Sequence, residues 1–94
     1  IARIGGDPAI EGSLANHRSI IASVLGKHEE ALDLCAEAIM WRRGAFGATH
    51  PKIASSLQNC SYFLSDLGRH EEALDLAKQA FEMRLELLGP QRLQ

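Results

Sequence analysis

The sequence predicts an all-α fold of antiparallel helix-turn-helix repeats stacked side by side, with four long helices at about 8–25, 28–46, 51–67 and 70–88. An internal repeat, a helical spacing of apolar residues and the placement of glycines lead to that fold. The segment Leu25-Gly26-Lys27-His28-Glu29-Glu30-Ala31-Leu32-Asp33-Leu34 returns as Leu67-Gly68-Arg69-His70-Glu71-Glu72-Ala73-Leu74-Asp75-Leu76, nine identities in ten positions at an offset of 42. Ala38, Arg42 and Gly47 meet Ala80, Arg84 and Gly89 at the same offset, which brings the identities between 25 and 47 to twelve. A repeat of this length is one supersecondary unit that buries its apolar face against its neighbours.

Each element follows from local signals. Asp7-Pro8 opens the first helix, with Asp7 as N-cap and proline at the first helical position, where its missing N–H costs nothing. The second helix begins at His28, with Glu29 and Glu30 in the first turn, where acids suit the positive end of the helix dipole. Pro51 starts the third helix, and His70 with Glu71 and Glu72 the fourth. Within 70–88, Ala73, Leu74, Leu76, Ala77, Ala80, Phe81, Leu85 and Leu88 recur at spacings of three and four, one face of a 3.6-residue period. Gly26, Gly47, Gly68 and Gly89 each follow an apolar residue at a helix end, where glycine accepts the left-handed capping conformation. No run alternates in the manner of a strand. Ile4-Gly5 meets Phe46-Gly47 at the same offset, so the expected organisation is 1–7 as the tail of a preceding unit or a cap, repeats at 8–47 and 50–89, and a 90–94 tail. The start at Ile1 fits a piece of a longer chain.

Composition narrows the function. Ten Lys and Arg against twelve Asp and Glu leave a net charge of −2, without the field needed to grip phosphate backbones, and no apolar run approaches the roughly 20 residues that span a bilayer. Neither nucleic acid nor membrane is expected as a partner. Cys35 and Cys60, in a chain without a signal-like start, read as reduced thiols of a cytoplasmic protein, while the count of two leaves a single bridge open.

A helix, a Leu-Gly turn and a second helix opening on an aromatic or His, two acids and an alanine resembles the tetratricopeptide repeat. The likeness covers nearly the whole chain and implies a right-handed α-solenoid. The period of 42 exceeds the usual 34 by about one turn per helix. In this it is similar to the kinesin light chain-like branch, as are Phe46-Gly47-Ala48-Thr49-His50-Pro51 and Ser56-Leu57-Gln58-Asn59. The resemblance assigns Ala31, Ala38, Ser61, Ala73 and Ala80 to close helix crossings. It also places Cys35 near Cys60 between the second and third helices, where two small core residues are expected in place of a bridge or a metal. Two departures stand out. Arg18 occupies a position where the family has a buried apolar residue, and Asp7-Pro8 lies one position early against His50-Pro51, which leaves the register of the first helix open by one residue.

No catalytic, metal or cofactor site is expected. His28-Glu29-Glu30 and His70-Glu71-Glu72 lack the second His that a zinc-binding helix needs four residues on, since Leu32 and Leu74 stand there. Neither Cys has a CxxC partner, and no glycine-rich phosphate loop or nucleophile elbow is present. Trp41-Arg42-Arg43 is the one aromatic-basic cluster; Arg42 recurs as Arg84, which favours stem packing and a solvated head over a phosphate contact. The resemblance implies non-covalent binding of a protein or peptide segment on the concave face, at Gln58, Asn59 and Tyr62 of the second unit and Asn16, His17 and Ile20 of the first. An Asn amide both donates and accepts, as an extended backbone requires. The alternative is self-assembly, with the units forming a homo-oligomer through apolar terminal helices. Leu85, Leu87, Leu88 and Leu93 lack a following helix to cover them, and Ile1 to Ile4 hints at a missing neighbour.

Overall fold

The computed structural model describes residues 6–89, so the tail expected at Ile1 to Ile4, the segment 90–94 and the exposure of Leu93 lie outside the described residues. Among the described residues the chain forms four helices and no strand: α1 (Pro8–Val24), α2 (His28–Phe46), α3 (Pro51–Asp66) and α4 (His70–Leu88). All four start where the sequence places them. Leu25 and Leu67 fall just outside, as the C-caps of α1 and α3.

The caps are local. Asp7 Oδ1 accepts from the Ala9 amide at 2.9 Å, and His50 Nδ1 accepts from the Lys52 amide at 3.1 Å. The His50 ring also stacks on Phe46, with centroids 3.9 Å apart, which ties the end of α2 to the start of α3. Gly26 and Gly68 take φ of +81° and +80° in the two tight turns, a region in which a Cβ is strained.

Helices α1 and α2 pack as one antiparallel hairpin and α3 and α4 as another, with α2 against α3 joining the two. The small residues assigned to close crossings are all buried, Ala31 and Ala38 completely, and the Ser61 hydroxyl donates to Ala73 O at 2.8 Å across the α3–α4 crossing. One core cluster joins Ala22, Ala31, Cys35, Cys60 and Phe63, with Leu32, Leu34, Ile39 and Leu76 against it. A second joins Ile53, Leu57 and Ala80, with Ile39, Leu76 and Met83 at its edge. Leu76 and Ile39 belong to both, so the interior is continuous across the hairpins.

Two expectations are corrected. Cys35 and Cys60 are paired as a disulfide, with Cα atoms 5.8 Å apart, because the α2–α3 crossing brings two fully buried sulfurs face to face. With both thiols bonded, cysteine usage no longer argues for a reducing compartment. Arg42 is not solvated: it is only 5% exposed and lies between α1, α2 and α3. The open register of α1 is also resolved. Buried Gly12, Ala15, Ser19 and Ala22 stand 42 residues before buried Ala54, Leu57, Ser61 and Leu64, so the extra residue sits at the start of α1, a helix of 17 residues against 16 for α3. At this register Arg18 matches buried Cys60 but is itself exposed, since no described helix packs over that side of α1.

Candidate functional site

The residues expected to bind a partner fall where α1 and α3 lie side by side, and a polar chain joins several of them. It begins at Arg42 on α2. Arg42 Nη1 donates to Lys52 O at 3.0 Å and to Ser56 Oγ at 2.7 Å. The Ser56 hydroxyl, fully buried, donates in turn to Asn16 Oδ1 at 3.1 Å, and Asn59 Nδ2 donates to the same oxygen at 3.3 Å. Burial holds the Arg42 guanidinium below its usual pKa, and among the described residues it meets no carboxylate. Its charge is spread instead into a carbonyl, a hydroxyl and the amide beyond.

This chain settles which way the two amides point. Ser56 Oγ accepts from arginine and so must donate onward, which requires an oxygen, not an NH2, from Asn16. Asn16 therefore keeps its Nδ2 donor, and Asn59 keeps its Oδ1 acceptor, free of hydrogen-bond partners among the described residues, with Asn16 buried and Asn59 half-buried. One donor and one acceptor side by side match the C=O and N–H of an extended peptide.

The remaining expected residues divide. Gln58 Nε2 donates to Tyr62 Oη at 2.9 Å, and Gln58 Oε1 accepts from Arg84 Nη1 at 2.6 Å, so Gln58 is committed inside the second hairpin. Tyr62 is 57% exposed and Ile20 41% exposed, each offering apolar surface beside the amides. His17 does not join the group: its Nδ1–H donates to Ser13 O at 2.8 Å on its own helix. Sequence reasoning missed Arg42 and Ser56 as the supports of the amide pair. The available signal was the return of Arg42 as Arg84 at a fixed repeat position, together with Gly12 facing it. A Cβ on Gly12 would stand 2.8 Å from Arg42 Cγ, so the arginine stem lies close over the glycine.

Among the described residues no group of three or more His, Cys, Asp or Glu is placed to hold a metal, and no helix is long and apolar enough to cross a membrane. The family model for the tetratricopeptide repeat matches residues 11–86, most of the chain. The protein belongs to that family. Its repeats generally mediate protein–protein interaction and are typically non-catalytic scaffolds. No curated protein sequence matches the chain.

Proposed function

We propose that the protein binds an extended peptide segment of a partner protein along the face shared by α1 and α3. The observation that carries this reading is the oriented amide pair, Asn16 as donor and Asn59 as acceptor, held from behind by Ser56 and Arg42. Tyr62 and Ile20 supply apolar contacts beside the pair. Backbone-directed hydrogen bonds supply affinity without a strong charge field, in keeping with the net charge of −2. The reading places the chain in the kinesin light chain-like branch of the family, which the 42-residue period and the Thr49-His50-Pro51 junction support.

The test is selection of binding peptides from a displayed random library, followed by titration against variants. Asn59→Ala and Tyr62→Ala should each weaken a selected peptide roughly tenfold, the loss expected for one hydrogen bond or one aromatic contact. Unchanged affinity in both, with the helical circular dichroism retained, moves the site off this face.

A further inference from the structure

Three contacts with α3 run down one face of α2, at His28, Cys35 and Arg42, each about two helical turns from the next. His28 Nδ1 lies 3.7 Å from Asp66 Oδ2, Cys35 is bonded to Cys60, and Arg42 donates to Lys52 O and Ser56 Oγ. The disulfide stands in the middle of this row. On α3 it lies one turn from Ser56 and next in sequence to Asn59, and Cys35 Sγ is 3.1 Å from Ser56 O. It therefore sits directly behind the amide pair, whose Asn16 oxygen accepts from both Ser56 and Asn59.

Helices α1 and α3 touch only lightly, while each packs extensively on α2. The spacing of Asn16 from Asn59 is thus set through α2, and the Cys35–Cys60 bond is the cross-link in that path. Both sulfurs lie in a core cluster with Ala22, Ala31 and Phe63. Unbonded thiols cannot approach as closely as bonded sulfurs, and a close-packed core gives them little space to turn aside. Reduction therefore parts α2 from α3 beside Ser56 and Asn59. Helix α1 follows α2, which draws Asn16 away from Asn59.

We propose that the oxidation state of the Cys35–Cys60 pair sets peptide affinity: the disulfide form holds the two amides in register and binds tightly, and the dithiol form binds weakly. This linkage rests on the peptide-binding reading of the α1–α3 face. The co-reactant is a dithiol. One of its thiolates attacks a sulfur of the pair, the S–S bond breaks, and the departing cysteine takes up a proton. The second thiolate then displaces the other cysteine, leaving two protein thiols and the reagent as its disulfide. With the sulfurs 0% and 2% exposed, attack requires the α2–α3 junction to open, which a peptide held on both α1 and α3 opposes. By reciprocity, bound peptide favours the disulfide by the factor by which the disulfide favours peptide.

The test titrates a cysteine-free peptide, selected on the oxidised chain, before and after full reduction by dithiothreitol. Affinity should fall about fivefold or more, the lower range for coupled equilibria. Cys35→Val with Cys60→Ala refills the space without a bond. This double variant should bind as weakly as the reduced chain and ignore dithiothreitol, which separates loss of the bond from loss of the fold. Asn16 and Asn59 are the only asparagines in the sequence, so selective nitrogen-15 labelling reads the pair itself, and both side-chain NH2 signals should move on reduction. Equal affinity of the oxidised and reduced chains, or of the folded double variant and the oxidised parent, overturns the linkage and leaves the peptide reading standing. Unmoved asparagine signals in the folded, reduced chain overturn it too. A chain that selects no peptide in either state overturns the peptide reading and the linkage with it.

Discussion

Helices α2 and α4 start from nearly the same sequence and live in different surroundings. Both run 19 residues, and the residues preceding them, Lys27 and Arg69, have φ, ψ of −92°, 71° and −91°, 69°. Local conformation is thus copied faithfully, because the Leu-Gly turn, the acidic first turn and the alanines specify it without reference to neighbours. What the side chains do is not copied. Helix α2 packs against α1 on one side and α3 on the other; Cys35 is fully buried and Arg42 nearly so. Among the described residues α4 has only α3 as an extensive partner, so Leu74 and Phe81 lie open and Arg84 turns back to Gln58 on its own hairpin. The same decapeptide therefore builds a core element or an open face according to what stands beside it, and the difference in stability belongs to the junction.

The strongest way to break the comparison is at the two arginines. Arg42→Ala removes two hydrogen bonds, leaves the buried Ser56 hydroxyl and Lys52 O short of a donor, and empties the space over Gly12. Loss of a buried, charge-assisted network of this kind costs about 3 kcal/mol. Arg84→Ala, at a half-buried site with one such bond, should cost about 1 kcal/mol or less. Urea denaturation of the two variants checks the gap; equal losses would show that the junction adds nothing to the shared sequence.

The disulfide is the next contrast, since Cys60 faces Cys35 on α2 and, among the described residues, nothing comparable faces Ala77 on α4. Replacing both cysteines by alanine should lower stability by about 3 kcal/mol under oxidising conditions, the usual worth of a cross-link closing a loop of this size, with a separation of 25 residues. Dithiothreitol should reproduce most of that loss in the parent chain and leave the double variant unmoved. In the reduced state Cys35 Sγ, 3.1 Å from Ser56 O, has an acceptor for its thiol proton, so reduction loosens the junction without stranding a polar group.

These effects mark how far the sequence was legible. Helix bounds and caps were readable because each depends on a few adjacent residues or on one periodic face, whereas the small-residue crossings came with the family resemblance. The amide pair was readable as a set of positions but not as a mechanism. Nothing local to Asn16 says that its oxygen is claimed by Ser56, forty positions away, or that Arg42 stands behind both. The resemblance placed Cys35 near Cys60, but that the two are bonded depends on how closely α2 and α3 cross, which spacing along the chain does not report. Arg18 read as an anomaly only because burial was expected on that side of α1, and the described structure puts no helix there.

A finer contrast lies at Gly12 and its equivalent Ala54. A methyl group on Gly12 would stand 2.8 Å from Arg42 Cγ and 3.2 Å from Trp41 Cβ. The arginine is pinned at its far end by two hydrogen bonds and cannot swing clear. Gly12→Ala should therefore lose about 1 kcal/mol net, because overpacking outweighs the gain in helix propensity. Ala54→Gly should lose a similar amount for the opposite reasons, lost packing and lost propensity. Thermal melts of both test this, and stabilisation by Gly12→Ala would mean that the Arg42 stem has room to spare.

The smallest contrast is the residue that differs between the decapeptides, Lys27 against Arg69. Arg69 Nε and Nη2 donate to the two Glu72 oxygens at 2.9 Å each, a bidentate pairing that a lysine ammonium cannot make. The hydrogen bond from Arg69, reinforced by its charge, holds the Glu72 carboxyl below the usual carboxylate pKa. A carboxyl whose pKa is lowered by folding contributes stability that is complete above the unfolded-state value and fades as pH falls through the folded one. Both groups are fully exposed, so solvent screens the pair and the effect is slight. Arg69→Lys should accordingly lower the Tm a little at neutral pH, less than any variant above, and the difference from the parent should close once the solution is acidic enough to protonate Glu72. Lys27→Arg should raise it by a similar increment, through Glu30. A difference that persists unchanged into acid would assign the effect to the arginine stem, and the two turns would then differ in packing instead of charge.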